Sequence, residues 1–146
     1  MEIGTPESLR LEHQELHEEL ARATKVPGRI GEAAKAVAAV LHSHFVKEEQ
    51  YAMPPLSLLS ALADGRISTP PPEVLEMSRR LKADLPQMLA EHRAIVAALD
   101  RLKAVAREEG QAQYERFAEK LALHAKTEEE VLYPAAILVG KFLQKK

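Results

Sequence analysis

The chain has 146 residues, a formal net charge of −2, 4% aromatic residues and no cysteine. This bounds it to one domain large enough to bury a core, and it excludes disulfides, thiolate chemistry and cysteine-held zinc or iron–sulfur sites. Acidic and basic residues are interspersed, so neither nucleic acid nor a lipid surface is expected as a partner; with no apolar run of membrane-spanning length and no basic-then-apolar start, the expectation is a cytoplasmic protein without a signal peptide.

Ala, Leu, Glu, Lys and Arg dominate, and no β-branched run suggests a strand, so the expected class is all-α. Thr5-Pro6-Glu7 predicts a helix start with Thr5 as N-cap and Pro6 in the first turn. That first helix runs to about Val26-Pro27-Gly28 and carries Leu9, His13, Leu16 and Leu20 on one face. A second helix over about 29–52 places Val37, Val40, Leu41, His44, Glu48 and Tyr51 on one stripe before Pro54-Pro55 breaks it. Residues 56–62 form a short docking helix ended by Asp64-Gly65, and 68–73 is the linker at the midpoint of the chain. The third helix starts at Pro72 or Glu73 and ends near Glu109, interrupted at Pro86, with Met88, Leu89, His92, Ile95, Leu99 and Leu102 facing inward. The fourth, over about 111–133, aligns Phe117, Leu121, His124, Glu128 and Val131. Beyond Pro134 an apolar tail packs back on the bundle, and Lys145-Lys146 is expected to be disordered.

Four main helices with short connections predict an up-down-up-down four-helix bundle, with a short extra helix after the second and a C-terminal tail. The chain is one domain, 1–146, built of two repeats over about 5–67 and 72–140. The duplication is carried by His44-x-x-x-Glu48 and His124-x-x-x-Glu128, each followed at the same offset by a proline, Pro54 or Pro134. Each also has a second histidine upstream at nearly the same interval, His13 and His92. Four residues along an α-helix rise about 6 Å and turn about 400°, so imidazole and carboxylate of each pair stand one above the other and reach one ion.

In the bundle, His13, His44, Glu48, His92, His124 and Glu128 all face one central cavity. Burying two carboxylates among Leu and Val costs several kcal/mol, about 3–5, unless a charge compensates, and no Lys or Arg stands at helix-neighbour spacing on the inward faces. A metal resolves that cost. Imidazole and carboxylate together suit iron, zinc, copper or manganese, and two carboxylates able to bridge favour two ions over one.

The order His, His-x-x-x-Glu, His, His-x-x-x-Glu on a four-helix bundle resembles the hemerythrin-like, or HHE cation-binding, family, over roughly Leu11 to Pro134. The resemblance implies a non-haem di-iron centre bridged by both carboxylates, with zinc or manganese as substitutes, that binds or senses dioxygen, nitric oxide or peroxide. It implies His13, His44, Glu48, His92, His124 and Glu128 as metal ligands. The oxygen carriers of that family have a fifth histidine where this chain has Met88, which leaves each iron an open position unless His17 fills one. They also place the last carboxylate one residue later, which keeps Glu129 as an alternative to Glu128. The other function class left open is metal storage, buffering or structural metal binding. His42, Glu49, Glu129 and Glu130 read as solvated surface, and Tyr51 as either core or a partner of a metal ligand.

Overall fold

The computed structural model describes residues 3–145, which are helical almost throughout. The elements in chain order are α1 (Glu7–Thr24), α2 (Arg29–Lys47), a π-helical turn (Glu48–Ala52), a 3-10 turn (Pro54–Leu58), α3 (Leu59–Ala63), α4 (Pro72–Glu108), α5 (Ala112–Thr127), a second π-helical turn (Glu128–Leu132) and α6 (Tyr133–Gln144). Helices α1, α2, α4 and α5 form the four-helix bundle, neighbours in the order α1–α2–α4–α5 with α5 closing back on α1.

Helix ends follow local chemistry. Gly110, with φ of 68°, closes α4 by donating to Arg107 O at 3.2 Å, while Gln111 donates to Ala106 O at 2.8 Å. That pair of bonds satisfies carbonyls the helix leaves free, and the left-handed residue between them is one that glycine adopts without strain. The start of α1 differs from expectation. Pro6 rather than Thr5 occupies the N-cap, with ψ of 142°, and no side chain caps the helix. Pro86 does not interrupt α4, which runs unbroken for 37 residues, about 55 Å. Its ring lies on the exposed face, where a missing amide donor leaves the freed carbonyl to water.

The apolar segment after Pro134 packs back on the bundle as expected, and it does so as a helix. It is the 12-residue helix α6, which packs on the N-terminal half of α4 and buries Tyr133, Ala136, Val139, Gly140 and Leu143. Lys145 stands at the end of α6, and Lys146 lies outside the described residues.

The interior is layered along the bundle axis. One apolar layer joins Leu16, Leu20, Val37, Leu41, Ile95, Leu99, Phe117 and Leu121. A second joins Tyr51, Met53, Leu81, Met88, Tyr133 and Ala136. Between them in chain position fall four buried histidines, one on each bundle helix, and the two inward glutamates, each of which opens a π-helical turn. A third layer, with Leu58, Ile67, Val74, Val139 and Leu143, ties α3 and α6 to the start of α4.

The α4–α6 contact is close enough to leave no room for a methyl group at Gly140, where a Cβ would stand 2.3 Å from Ser78 Cβ. Ser78 in turn donates to Ala136 O at 2.8 Å. Gly140→Ala should therefore destabilise the chain by about 1–3 kcal/mol despite the better helix propensity of alanine. Urea denaturation measures it, and an unchanged or raised midpoint would contradict the packing described.

Candidate metal centre

The six histidines and glutamates singled out in the sequence come together. His13, His44, Glu48, His92, His124 and Glu128 are each no more than 6% exposed. They sort into two groups, each with one ligand-type atom per residue within 4.8 Å of the others: His44, Glu48, His92 and Glu128, and His13, His124 and Glu128.

The carboxylates join the two groups. Glu128 Oε1 lies 3.1 Å from His92 Nε2, while its Oε2 lies 3.0 Å from His124 Nε2 and 3.4 Å from His13 Nε2. Glu48 Oε2 lies 3.7 Å from His44 Nε2, and its Oε1 lies 3.9 Å from His13 Nε2. Each carboxylate thus offers one oxygen to the His44–His92 pair and the other to the His13–His124 pair.

An outer ring of carboxylates sets the imidazoles. His44 Nδ1 donates to Glu91 at 2.8 Å and His92 Nδ1 to Glu129 at 2.9 Å, while His124 Nδ1 donates to Glu12. His13 Nδ1 faces Glu49 at 3.9 Å. With Nδ1 turned to an outer carboxylate, Nε2 is left facing the cavity, where it is the nitrogen that a metal would take. The pattern is twofold: Glu12 and Glu91 each precede a histidine of their own repeat and orient one of the other repeat, and Glu49 and Glu129 each follow an inward glutamate.

The outer ring was not legible as such. Glu129 and Glu49 were expected to be solvated surface, and both are half in water, 39% and 54% exposed, while turning one oxygen inward. Glu129 lies on the outer side of His92, so Glu128 holds the cavity position. His17 is exposed and packs its ring 5.9 Å from Phe45, outside both groups, and His42 is exposed as expected. Tyr51 bonds to Asp84, with Met88 Sδ 3.6 Å from its hydroxyl, so the hydrogen bonds of that hydroxyl go to residues outside the six.

Two further departures share one cause. Val131, expected inward, is 56% exposed, and Tyr133, which drew no attention in the sequence, is 1% exposed with its hydroxyl in the cavity. Both follow from the π-helical turn that begins at Glu128, in which Tyr133 N–H reaches back to Glu128 O. In an α-helix five residues turn about 500°, which would leave Tyr133 well off the Glu128 face; a π-turn accommodates one extra residue and stacks the two. The first repeat does the same, with Met53 N–H donating to Glu48 O at 2.8 Å. Pro54 and Pro134 supply the reason: a proline ring crowds the carbonyl four residues back, and widening the preceding turn relieves it. The doubled Glu…Pro offset was the available signal.

The donor set fits a metal. Glu48 Oε1 and His13 Nδ1 are buried without a hydrogen-bond partner. Burial first, and then the charge of Glu128, hold the Glu48 carboxyl well above its usual range, so it keeps a proton and donates to Glu128. Burial opposes ionisation of Glu128 too, but hydrogen bonds from Glu48, His124, His13 and His92 outweigh it and hold that carboxyl low. The imidazoles split: burial lowers His44 in spite of Glu91, while Glu128 and Glu12 outweigh burial and raise His124. Without a cation, protons stand in for charge that the site was shaped to receive.

The sequence belongs to the hemerythrin family, the hemerythrin HHE cation-binding domain, which it matches over residues 5–136. No curated protein and no solved structure matches the chain significantly. Cation binding is the property this domain carries, and the His/Glu cluster is where the structure offers it. No helix among the described residues is long and apolar enough to cross a membrane.

Glu48→Gln should raise the melting temperature of the metal-free protein at neutral pH, because the amide keeps the contacts to Glu128 and Tyr133 without needing a proton. Glu48 has its folded value above its unfolded one, so the stability it contributes is full below about pH 4.5 and is lost as pH rises. The gain in the variant should accordingly shrink as pH falls toward 4.5, and a variant less stable than wild type at pH 7 would contradict this.

Glu91 behaves oppositely. Burial opposes its ionisation, but hydrogen bonds from Lys47, His44 and Gln87 bring its carboxyl down to about 2. Its stabilising contribution is present above about pH 4.5 and lost as pH falls through 2. The melting-temperature deficit of Glu91→Gln should stay constant from pH 7 to about 4.5 and close below it, whereas a deficit independent of pH would contradict a charged hydrogen bond.

Proposed function

We propose that the chain is a cytoplasmic non-haem di-iron protein in which His13, His44, Glu48, His92, His124 and Glu128 are the metal ligands, and that it binds or senses dioxygen, nitric oxide or a peroxide. The observation that carries this reading is the division of each buried carboxylate between two imidazole pairs. Two oxygens of one group aimed at two separate nitrogen pairs is the arrangement for bridging two ions; one ion would use both oxygens from one side. Iron, when bound, supplies redox chemistry toward small diatomic ligands. The protein's part is to hold the ions apart from water, to orient His44, His92 and His124 through outer carboxylates and His13 by its stack on Phe45, and to exclude larger molecules.

Burial separates this from the storage reading. Ions that must be taken up and released need an exchangeable face, and all six inward side chains are at most 6% exposed. A resident centre is favoured over a buffer. Zinc or manganese would fit the same donors, so metal identity is decided by measurement.

The purified protein should contain close to two metal ions per chain, chiefly iron, by elemental analysis, and Glu128→Ala should lose both. Reduced, iron-loaded protein should change its optical spectrum on addition of nitric oxide. One ion per fully loaded chain would contradict the bridged pair, and two ions with no response to nitric oxide, oxygen or peroxide would leave the metal and remove the sensing role.

A further inference from the structure

Tyr133 occupies a position that the six ligands do not account for. Its hydroxyl donates to Glu48 Oε2 at 2.8 Å and lies 3.0 Å from both His44 Nε2 and His92 Nε2. Both imidazoles already donate their Nδ1 protons, to Glu91 and Glu129. Three ligand-type atoms therefore converge on one phenol oxygen, whose single proton goes to Glu48. A cation standing among them would be held by all three. The same oxygen, aimed at the same three donors, is a ligand atom for that cation.

We propose that Tyr133 is a fifth protein ligand of the ion held by His44, His92, Glu48 and Glu128, bound as phenolate, with its proton released to solvent as the ion enters. This rests on the di-iron reading and makes the two ions unlike. The His44–His92 ion is closed by the phenolate on the side of the Tyr51–Met88–Tyr133 layer, so the position left by Met88 is not open there. The His13–His124 ion has no counterpart to Tyr133. It is also the ion nearer the surface: one groove between α1 and α2 is lined by His13, and another between α1 and α5 by His124. An exogenous small ligand therefore binds at the His13–His124 ion.

The test is optical and vibrational. Iron-loaded, oxidised wild type should show a visible tyrosinate-to-iron(III) charge-transfer band, with tyrosinate ring modes enhanced on excitation into it. Tyr133→Phe should lose the band while still holding two irons, and should release one proton fewer per chain on loading. The chain has three tyrosines, so if Tyr133→Phe does not fold, survival of the band in both Tyr51→Phe and Tyr114→Phe assigns it to Tyr133. Azide added to the oxidised protein should bind with the tyrosinate band intact. Two irons without a tyrosinate band, or a band unchanged in Tyr133→Phe, overturns the ligand assignment and leaves the di-iron reading standing. A band bleached in proportion to bound azide overturns the placement of the open position. A chain that takes up no iron overturns both.

Discussion

Two carboxyl groups in hydrogen-bond contact at the centre of an apolar bundle are the constraint on which the rest of this structure depends. Glu48 and Glu128 are 0% and 1% exposed, and neither can be ionised beside the other without help. Everything around them supplies that help. Four imidazoles present nitrogen to the same cavity, a phenol donates to one carboxylate, and in the metal-free chain Glu48 keeps its proton. The arrangement is poor as a device for stability, since a well-packed hydrophobic replacement would avoid the desolvation altogether. It makes sense as a device for holding charge that comes from outside the chain.

Positioning falls to residues a shell further out. Glu12, Glu91 and Glu129 accept from the outward nitrogens of His124, His44 and His92. Each sits at the edge of the bundle, where water lowers the cost of its charge, and reaches inward with one oxygen. Glu91 is itself braced by Lys47 at 2.6 Å and Gln87 at 3.1 Å. The imidazole of His13 is held differently, stacked on Phe45 with ring centroids 4.5 Å apart and Glu49 at a longer distance. The centre thus has three rings set by charged hydrogen bonds and one set by packing, and the ring set by packing belongs to the side that the surface grooves reach.

The two π-turns connect backbone to site. Each begins at the inward glutamate and ends just before a proline, so each repeat changes the phase of its helix immediately past its last candidate ligand. In the first repeat this brings Met53 inward and turns the chain into the 3-10 segment and α3. In the second it brings Tyr133 over the cavity and launches α6. The same backbone device, given methionine in one repeat and tyrosine in the other, adds a second difference between the two sides of the centre.

What could be read from the chain alone was whatever depends on spacing within one helix. The His-x-x-x-Glu pairs, their duplication, the apolar stripes that carry them inward and the glycines that end helices are local, and a regular 3.6-residue period transmits them without knowledge of the fold. That was enough for the bundle and for all six inward residues. The tertiary structure alone decided what lies across helices or past a change of phase. Glu91 meets His44 from another helix, 47 residues away in the chain, and no pattern along either helix marks the pair. Val131 turns out and Tyr133 turns in because a π-turn breaks the period on which the reading rests, and α6 is a helix because α4 extends far enough to give its apolar face a partner. Periodicity assigns a face only while the helix stays regular, and it is silent on which side chain of a neighbouring helix will stand opposite.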